Sequence, residues 1–197
     1  LVIVDVIGRT VKKTDISKWP DQYINPLCVT KDSKYLFFER TKRTWDEVDL
    51  CSVNLSTMEV KEIIHEVDKP YRDPHARSVA ILNDGKDILF RSERTGWEKD
   101  IDPSYYMLYK VHIDREGVTP LSTEDGQHQV KFLKSNRYYI DTYSRVDMEP
   151  KIMLKDNKGQ GILELAKPDI ELAYKAGWKK PERFVVKAAD NITDLHG

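Results

Sequence analysis

Short runs of β-branched and aromatic residues, each bounded by Gly, Pro, Asn, Asp or Ser, follow one another along most of the chain. Such a pattern predicts strands and turns. Leu1–Val6 and Val11–Asp15 make a first pair around Ile7-Gly8-Arg9-Thr10, and a loop follows over Ile16–Pro26. That loop carries Trp19-Pro20 and Asn25-Pro26, and the residue before a proline is biased away from helix. Strands are then predicted in three sets of four. The first set is Leu27–Val29, Tyr35–Arg40, Val48–Asn54 and Val60–Glu66. The second is Ser78–Leu82, Ile88–Arg91, Tyr105–Ile113 and Val118–Ser122, and the third is Gln129–Leu133, Tyr138–Tyr143, Lys151–Lys155 and Gly161–Leu165. Lys61 and Glu62 suit an outer strand, where charge blocks edge-to-edge pairing.

The sets repeat. Lys31-Asp32-Ser33-Lys34, Asn83-Asp84-Gly85-Lys86 and Lys134-Ser135-Asn136-Arg137 are turn clusters that each lead straight into an apolar strand. Their first residues, 31, 83 and 134, lie 52 and 51 positions apart. A period near fifty residues with four strands inside it marks the blades of a propeller. The expected fold is all-β: a partial β-propeller of about three and a half four-stranded antiparallel blades over residues 1–168. After that the pattern changes. Asp169–Gly177 reads as two turns of helix with Asp169 as N-cap and Gly177 as its stop, and Pro181–Asp190 as a strand leaving the array. So few blades do not close a ring, and bare edges and faces predict pairing with another chain, including a homodimer.

Composition narrows the classes. The chain has 197 residues, 40% hydrophobic and 33% charged, which fits a folded globular protein. Its 32 basic residues against 33 acidic ones give a net charge of −1, so nothing attracts nucleic acid at long range. No apolar run approaches the ~20 residues of a membrane helix. Cys28 and Cys51 are read as small hydrophobes, with a disulfide as the lesser alternative. The chain opens inside an apolar run without methionine or signal peptide, which predicts a piece of a longer polypeptide.

Candidate chemistry is sparse. No glycine has serine two positions later, which excludes the Gly-x-Ser-x-Gly nucleophile turn. Cys-x-x-Cys, His-Glu-x-x-His and calcium-loop spacings are missing from the sequence too, so neither a metal nor a cofactor is expected. Gly159-Gln160-Gly161 joins two strands and reads as a hairpin turn. His65 and His112 fall in predicted strands, His128 and His196 in connections and His75 in a Pro-rich loop, none paired by spacing with a second chemical group. Asp46-Glu47, Asp100-Ile101-Asp102 and Glu124-Asp125 read as exposed turns. The one notable cluster is Tyr71-Arg72-Asp73-Pro74-His75-Ala76-Arg77, where guanidinium groups beside an aromatic could hold a carboxylate or carbonyl at a channel mouth. A rigid loop whose charges pair with one another is the alternative there. Trp97, within the long Thr95–Ser104 connection, is read as a blade-packing aromatic, with a contact to a partner as the alternative.

Four stretches in order carry a resemblance. They are Ser92-Glu93-Arg94-Thr95-Gly96-Trp97, Asp141-Thr142-Tyr143-Ser144-Arg145, Lys175–Phe184 (KAGWKKPERF) and Ala189–Gly197 (ADNITDLHG). Together they resemble the N-terminal propeller of prolyl oligopeptidase-family serine peptidases of the dipeptidyl peptidase IV branch. The resemblance implies a propeller that caps an α/β-hydrolase domain and admits small peptides. The catalytic Ser, Asp and His would lie in that domain, so this chain would contribute no catalytic residue. It also implies that residues 169–197 link to the hydrolase domain as its first hairpin, with Asn191 where the family usually has glycine. Nothing matches the paired glutamates that hold the substrate amine. Tyr71, Arg72 and His75 are carried over as peptide-binding residues, while Thr95–Ser104 is longer than the family's usual connection. The parent would remove Xaa-Pro or Xaa-Ala dipeptides and would be periplasmic, cell-surface or secreted. The rival is a stand-alone propeller that binds proteins or glycans.

Overall fold

The structure is a computed structural model that describes residues 1–67, 79–82, 86–93, 105–115 and 117–197. The chain divides into two compact units, Leu1–Phe90 with Lys110–Val118, and Arg91–Tyr109 with Thr119–Gly197.

In the first unit, β1 (Val2–Asp5) and β2 (Thr10–Lys13) form an antiparallel hairpin. A four-stranded antiparallel sheet follows, built in chain order from β3 (Gln22–Val29), β4 (Tyr35–Lys42), β5 (Glu47–Asn54) and β6 (Val60–Val67). Phe37 and Phe38 are adjacent and both fully buried, as are Leu50 and Cys51. Neighbouring strand residues point to opposite faces, so the centre of this sheet is covered on both. One face carries Phe38, Cys51 and Val53, on which Ile16, Leu1 and Ile3 pack. The hairpin is fastened there by Thr14 Oγ1, which donates to the Met58 carbonyl (3.0 Å), and by Lys12, which donates to that of Leu55 (3.1 Å).

Here β3 starts five residues earlier than the predicted strand near Leu27 and runs through Asn25-Pro26. Proline is tolerated because β3 is an edge strand and its register slips between Pro26 and Cys28, so no ladder bond is required of the missing N–H. Cys28 and Cys51 are free thiols; Cys51 is buried, and burial pushes its thiol up to about 12, whereas Cys28 is only half-buried.

The second sheet consists of β7 (Val79–Ile81), β8 (Asp87–Glu93), β9 (Tyr106–His112) and β10 (Val118–Pro120), again antiparallel neighbours in chain order. Ile88-Leu89-Phe90 and Met107-Leu108-Tyr109 are fully buried at every position. Strand β8 continues to Glu93, past the predicted end at Arg91.

The third sheet, in the second unit, consists of β11 (Gln127–Phe132), β12 (Tyr138–Arg145), β13 (Met148–Asp156) and β14 (Gly161–Ala166). It is buried on one side only. Along β12, Tyr139, Asp141 and Tyr143 are buried and the residues between them are not, and every residue of β14 is exposed. Gly159, with φ +85°, makes the β13–β14 turn; a Cβ there would lie 2.8 Å from the Leu121 carbonyl oxygen.

The repeat seen in the sequence recurs in the hydrogen bonds. The N–H groups of Thr30, Leu82 and Leu133 donate to the carbonyls of Tyr35, Asp87 and Tyr138, at 2.9, 3.0 and 3.1 Å. The carbonyls of Lys34, Lys86 and Arg137 accept from Leu55, Ile113 and Asn157, at 2.8, 2.8 and 3.1 Å. The first set, and the carbonyls of the second, advance by the same 52 and 51 residues, whereas the donors of the second set do not, because the stretch from acceptor to donor differs in length between repeats.

After the third sheet, α1 (Glu171–Lys175) is a single turn, shorter than expected. None of its residues is buried, so local bonds alone support it, and short isolated helices are marginal. Asp169 accepts the Glu171 N–H (2.9 Å) from one position before the assigned cap Ile170, and Gly177 (φ +91°) ends the turn. Of the predicted strand Pro181–Asp190, β15 (Val185–Lys187) pairs with β16 (Asp194–His196), and backbone bonds between Phe184 and Gly197 (2.9 and 3.0 Å) and from Ala188 to Thr193 (2.8 Å) extend the pairing by one residue at each end. Asn191 turns that hairpin with φ +57°. Asp190 accepts from the N–H groups of Ile192 and Thr193 and from the Thr193 hydroxyl, which holds its carboxyl down at about 2.

Candidate functional site

The predicted substrate-binding residues Tyr71, Arg72 and His75 lie outside the described residues. So do the Asn83-Asp84-Gly85 turn, Trp97, the Thr95–Ser104 connection and the acidic pair Asp100 and Asp102. The chemistry that the structure does bring together lies in two buried charge centres, one in the first sheet and one in the third.

In the first sheet Asp49, at the middle of β5, is fully buried. Arg40 Nε donates to its Oδ2 (2.6 Å), Lys18 Nζ lies 3.1 and 3.0 Å from its two oxygens, and His65 Nδ1 donates to Oδ1 (2.6 Å). Glu62 Oε2 accepts from both Lys18 (2.9 Å) and Arg40 (3.0 Å). Burial by itself would raise the Asp49 carboxyl, but the bonds from His65, Arg40 and Lys18 outweigh it and hold the group below its ordinary range.

In the third sheet Asp141 on β12 and His128 on β11 are both fully buried. His128 Nδ1 lies 2.9 and 3.0 Å from the two Asp141 oxygens, and Nε2 lies 3.0 Å from the Glu124 carbonyl oxygen. Lys155 Nζ on β13 is 3.0 Å from Asp141 Oδ2 and 2.7 Å from Glu124 Oε1. Tyr143 stacks on the His128 ring at 5.1 Å. Burial opposes ionisation of Asp141 and Glu124, yet His128 and Lys155 hold Asp141 low and Lys155 holds Glu124 low. Conversely, burial works against the Lys155 ammonium, and the two carboxylates raise it above its usual value nonetheless.

This corrects the sequence expectations for these residues. His128 sits within a strand, engaged through both ring nitrogens. Glu124-Asp125 is a half-buried, ion-paired turn. Likewise Asp46 and Glu47 share Lys42, at 3.3 and 2.6 Å, and are only partly exposed. His196 belongs to β16. The available signal was a lone aspartate inside each apolar strand, Val48-Asp49-Leu50 and Tyr139-Ile140-Asp141, at a position that alternation turns inward.

Each centre brings three ligand-type atoms within 4.8 Å: from Asp49, Glu62 and His65, and from Glu124, His128 and Asp141. Between the carboxylates, however, stand lysine ammonium groups already bonded to both. A divalent cation would have to displace Lys18 or Lys155, so the carboxylates of each centre are already engaged by the chain's own side chains.

Three antiparallel four-stranded sheets in succession, repeating one pattern of backbone bonds about every fifty residues, define a partial β-propeller. The family model for the dipeptidyl peptidase IV N-terminal region matches residues 1–100, and the chain belongs to that family. Among solved structures, a putative dipeptidyl aminopeptidase IV from Bacteroides ovatus is similar (18% identity, TM-score 0.50), covered over 98% of this chain and 36% of that one. Dipeptidyl peptidase 4 from Porphyromonas gingivalis is 15% identical, with a TM-score of 0.51 over 99% of this chain and 33% of its own. A prolyl endopeptidase structure has 15% identity and a TM-score of 0.56 over 78% of this chain and 23% of its own. At these identities the likeness establishes the fold, and the chain spans about a third or less of each relative's length. No curated protein sequence matches it significantly.

Proposed function

We propose that this chain is the non-catalytic propeller portion of a dipeptidyl peptidase IV-like serine exopeptidase that removes Xaa-Pro or Xaa-Ala dipeptides from free N-termini. The observation that carries the reading is family membership over residues 1–100, joined to a repeat of four-stranded blades. In this role residues 1–168 gate access to the active site. Residues 169–197 lead to an α/β-hydrolase domain that would be the chain's own partner and would carry the nucleophile. Tyr71, Arg72 and His75 contact the peptide, and the enzyme works outside the cytoplasm. The hairpin β15–β16 supports the link, since it pairs with itself alone among the described strands and keeps Phe184, Val185, Val186 and Leu195 exposed.

A dipeptidyl-nitroanilide assay tests the division of labour. The present chain should give no turnover, and the longest reading frame that contains it should cleave Ala-Pro-nitroanilide. A downstream sequence without Gly-x-Ser-x-Gly, or turnover by this chain alone, would overturn the proposal. In the active full-length enzyme, Arg72→Ala should raise KM about tenfold with little change in kcat, as expected for loss of a charge-assisted bond to bound peptide.

A further inference from the structure

We infer that Asp125 is the docking point of the C-terminal segment. Its carboxylate grips Arg183 and holds residues 181–197 against the third sheet, and salt loosens that grip.

Burial does not fix this segment. None of the described residues from 167 to 195 is buried, and α1 encloses no side chain. Sheet pairing does not fix it either, since β15 and β16 pair with each other and, among the described strands, with no third. What crosses to the third sheet, over 58 residues, is the bond from Arg183 Nη1 to Asp125 Oδ2 at 3.0 Å.

The sheet presents that carboxylate already in place. Arg145 Nη1, at the end of β12, donates to the Asp125 carboxylate and to the Asp125 carbonyl (3.3 Å). Its Nε and Nη2 bond the two oxygens of Asp147, at 2.7 and 3.3 Å, so Arg145 is tied to its own turn. On one side of Asp125, Glu124 is held by Lys155 (2.7 Å). On the other, Gly126 fits so closely that a Cβ would lie 3.0 Å from the Ser144 carbonyl oxygen. A carboxylate fixed in advance binds a guanidinium at less ordering cost. Arg183 comes from a segment with no buried residue, so it is the partner that moves.

Both side chains stay partly in water, Asp125 30% exposed and Arg183 36%. Such a pair is weak enough to open and is screened by salt. The segment therefore has two states, docked and released, whose balance one ion pair sets. On the function proposed above, the segment leads to the hydrolase domain, and the grip fixes how that domain leaves the last blade. That consequence rests on the proposed function, whereas the grip is read from this chain alone.

The test is nitrogen-15 relaxation of the whole chain in about 0.1 M and about 1 M NaCl, between which the screening length falls from about 10 to about 3 Å. Order parameters of Val185–Lys187 should lie near those of β12 and β13 in low salt and fall below about 0.6 in high salt. Arg183→Gln and Asp125→Asn should each give the lower value already in low salt. Their double variant should go no lower, because both changes break the same bond. Strands β12 and β13 should keep their order throughout, since Arg145 retains Asp147. No active enzyme is needed, so failure here is separate from failure of the proposed function. Salt-independent order parameters, an Arg183→Gln variant as ordered as the unmodified chain, or a further drop in the double variant would each overturn the proposal.

Discussion

In the first sheet Asp49 faces two cations that keep their charge at any ordinary pH, Arg40 and Lys18, and its histidine lies on edge strand β6 with about a third of its side chain exposed. In the third sheet Asp141 faces one such cation, Lys155, and its histidine is fully enclosed on edge strand β11. Both carboxylates are held ionised against burial, but by different means. The first centre has redundant partners and a path to water through Glu62 and His65. The third depends on each member, because His128 and Lys155 are both almost wholly buried and share Asp141. The two sheets thus show that a buried charge is protected either by surplus partners or by strict balance. Only the second arrangement ties stability to every member.

The largest effect is expected where no substitute partner exists. Asp141→Asn leaves the buried Lys155 ammonium and His128 without their common carboxylate. It should cost about 3–5 kcal/mol, measured as a shift of the urea midpoint at constant slope. Asp49→Asn should cost less, about 1–3 kcal/mol, because Lys18 and Arg40 keep Glu62 as a partner and Lys18 is partly exposed. Equal losses for the two variants would break the comparison.

Acid should act on both centres with the same sign. Asp49, Asp141 and Glu124 have folded-state values below those of the unfolded chain, so their stabilisation is complete above about pH 4–5 and is lost as pH falls through the depressed values. Lys18 and Lys155 are raised, so their contribution is complete below about pH 10 and disappears as pH climbs past the elevated values. Urea midpoints measured across pH should therefore fall at both ends. In Asp141→Asn and in Asp49→Asn alike the acid limb should be shallower than in the unmodified protein.

The sheets were legible in the sequence because strands, turns and the fifty-residue period are local patterns, and the bonds of Thr30, Leu82 and Leu133 follow that period. The extended start of β3 was not, since Pro26 reads as a breaker until its place on an edge strand is known. Helix α1 was overestimated because Asp169 and Gly177 give start and stop signals without a buried face between them. Neither charge centre was legible as such. His128 and Asp141 stand thirteen residues apart, and only the pairing of β11 with β12 brings them together, just as Lys18 meets Asp49 across thirty-one. Sequence spacing finds chemistry carried by one element, whereas these networks are assembled by three or four.

The smallest expected effect compares the same two sheets at their first turns. Ser33 and Asn136 occupy equivalent places, 103 residues apart, with φ of +56° and +51°. Their N–H groups donate to Thr30 and Leu133 at 2.9 and 2.8 Å. Asparagine tolerates this left-handed backbone better than serine does, since its amide bonds locally with the main chain. Ser33→Asn should therefore stabilise the protein by a few tenths of a kcal/mol up to about 1, and Asn136→Ser should cost a similar amount. Opposite and nearly equal shifts in Tm would mark the turns as interchangeable parts of a repeated unit. A change at one turn without its mirror at the other would mean that the surrounding sheet, and not the turn, sets the cost.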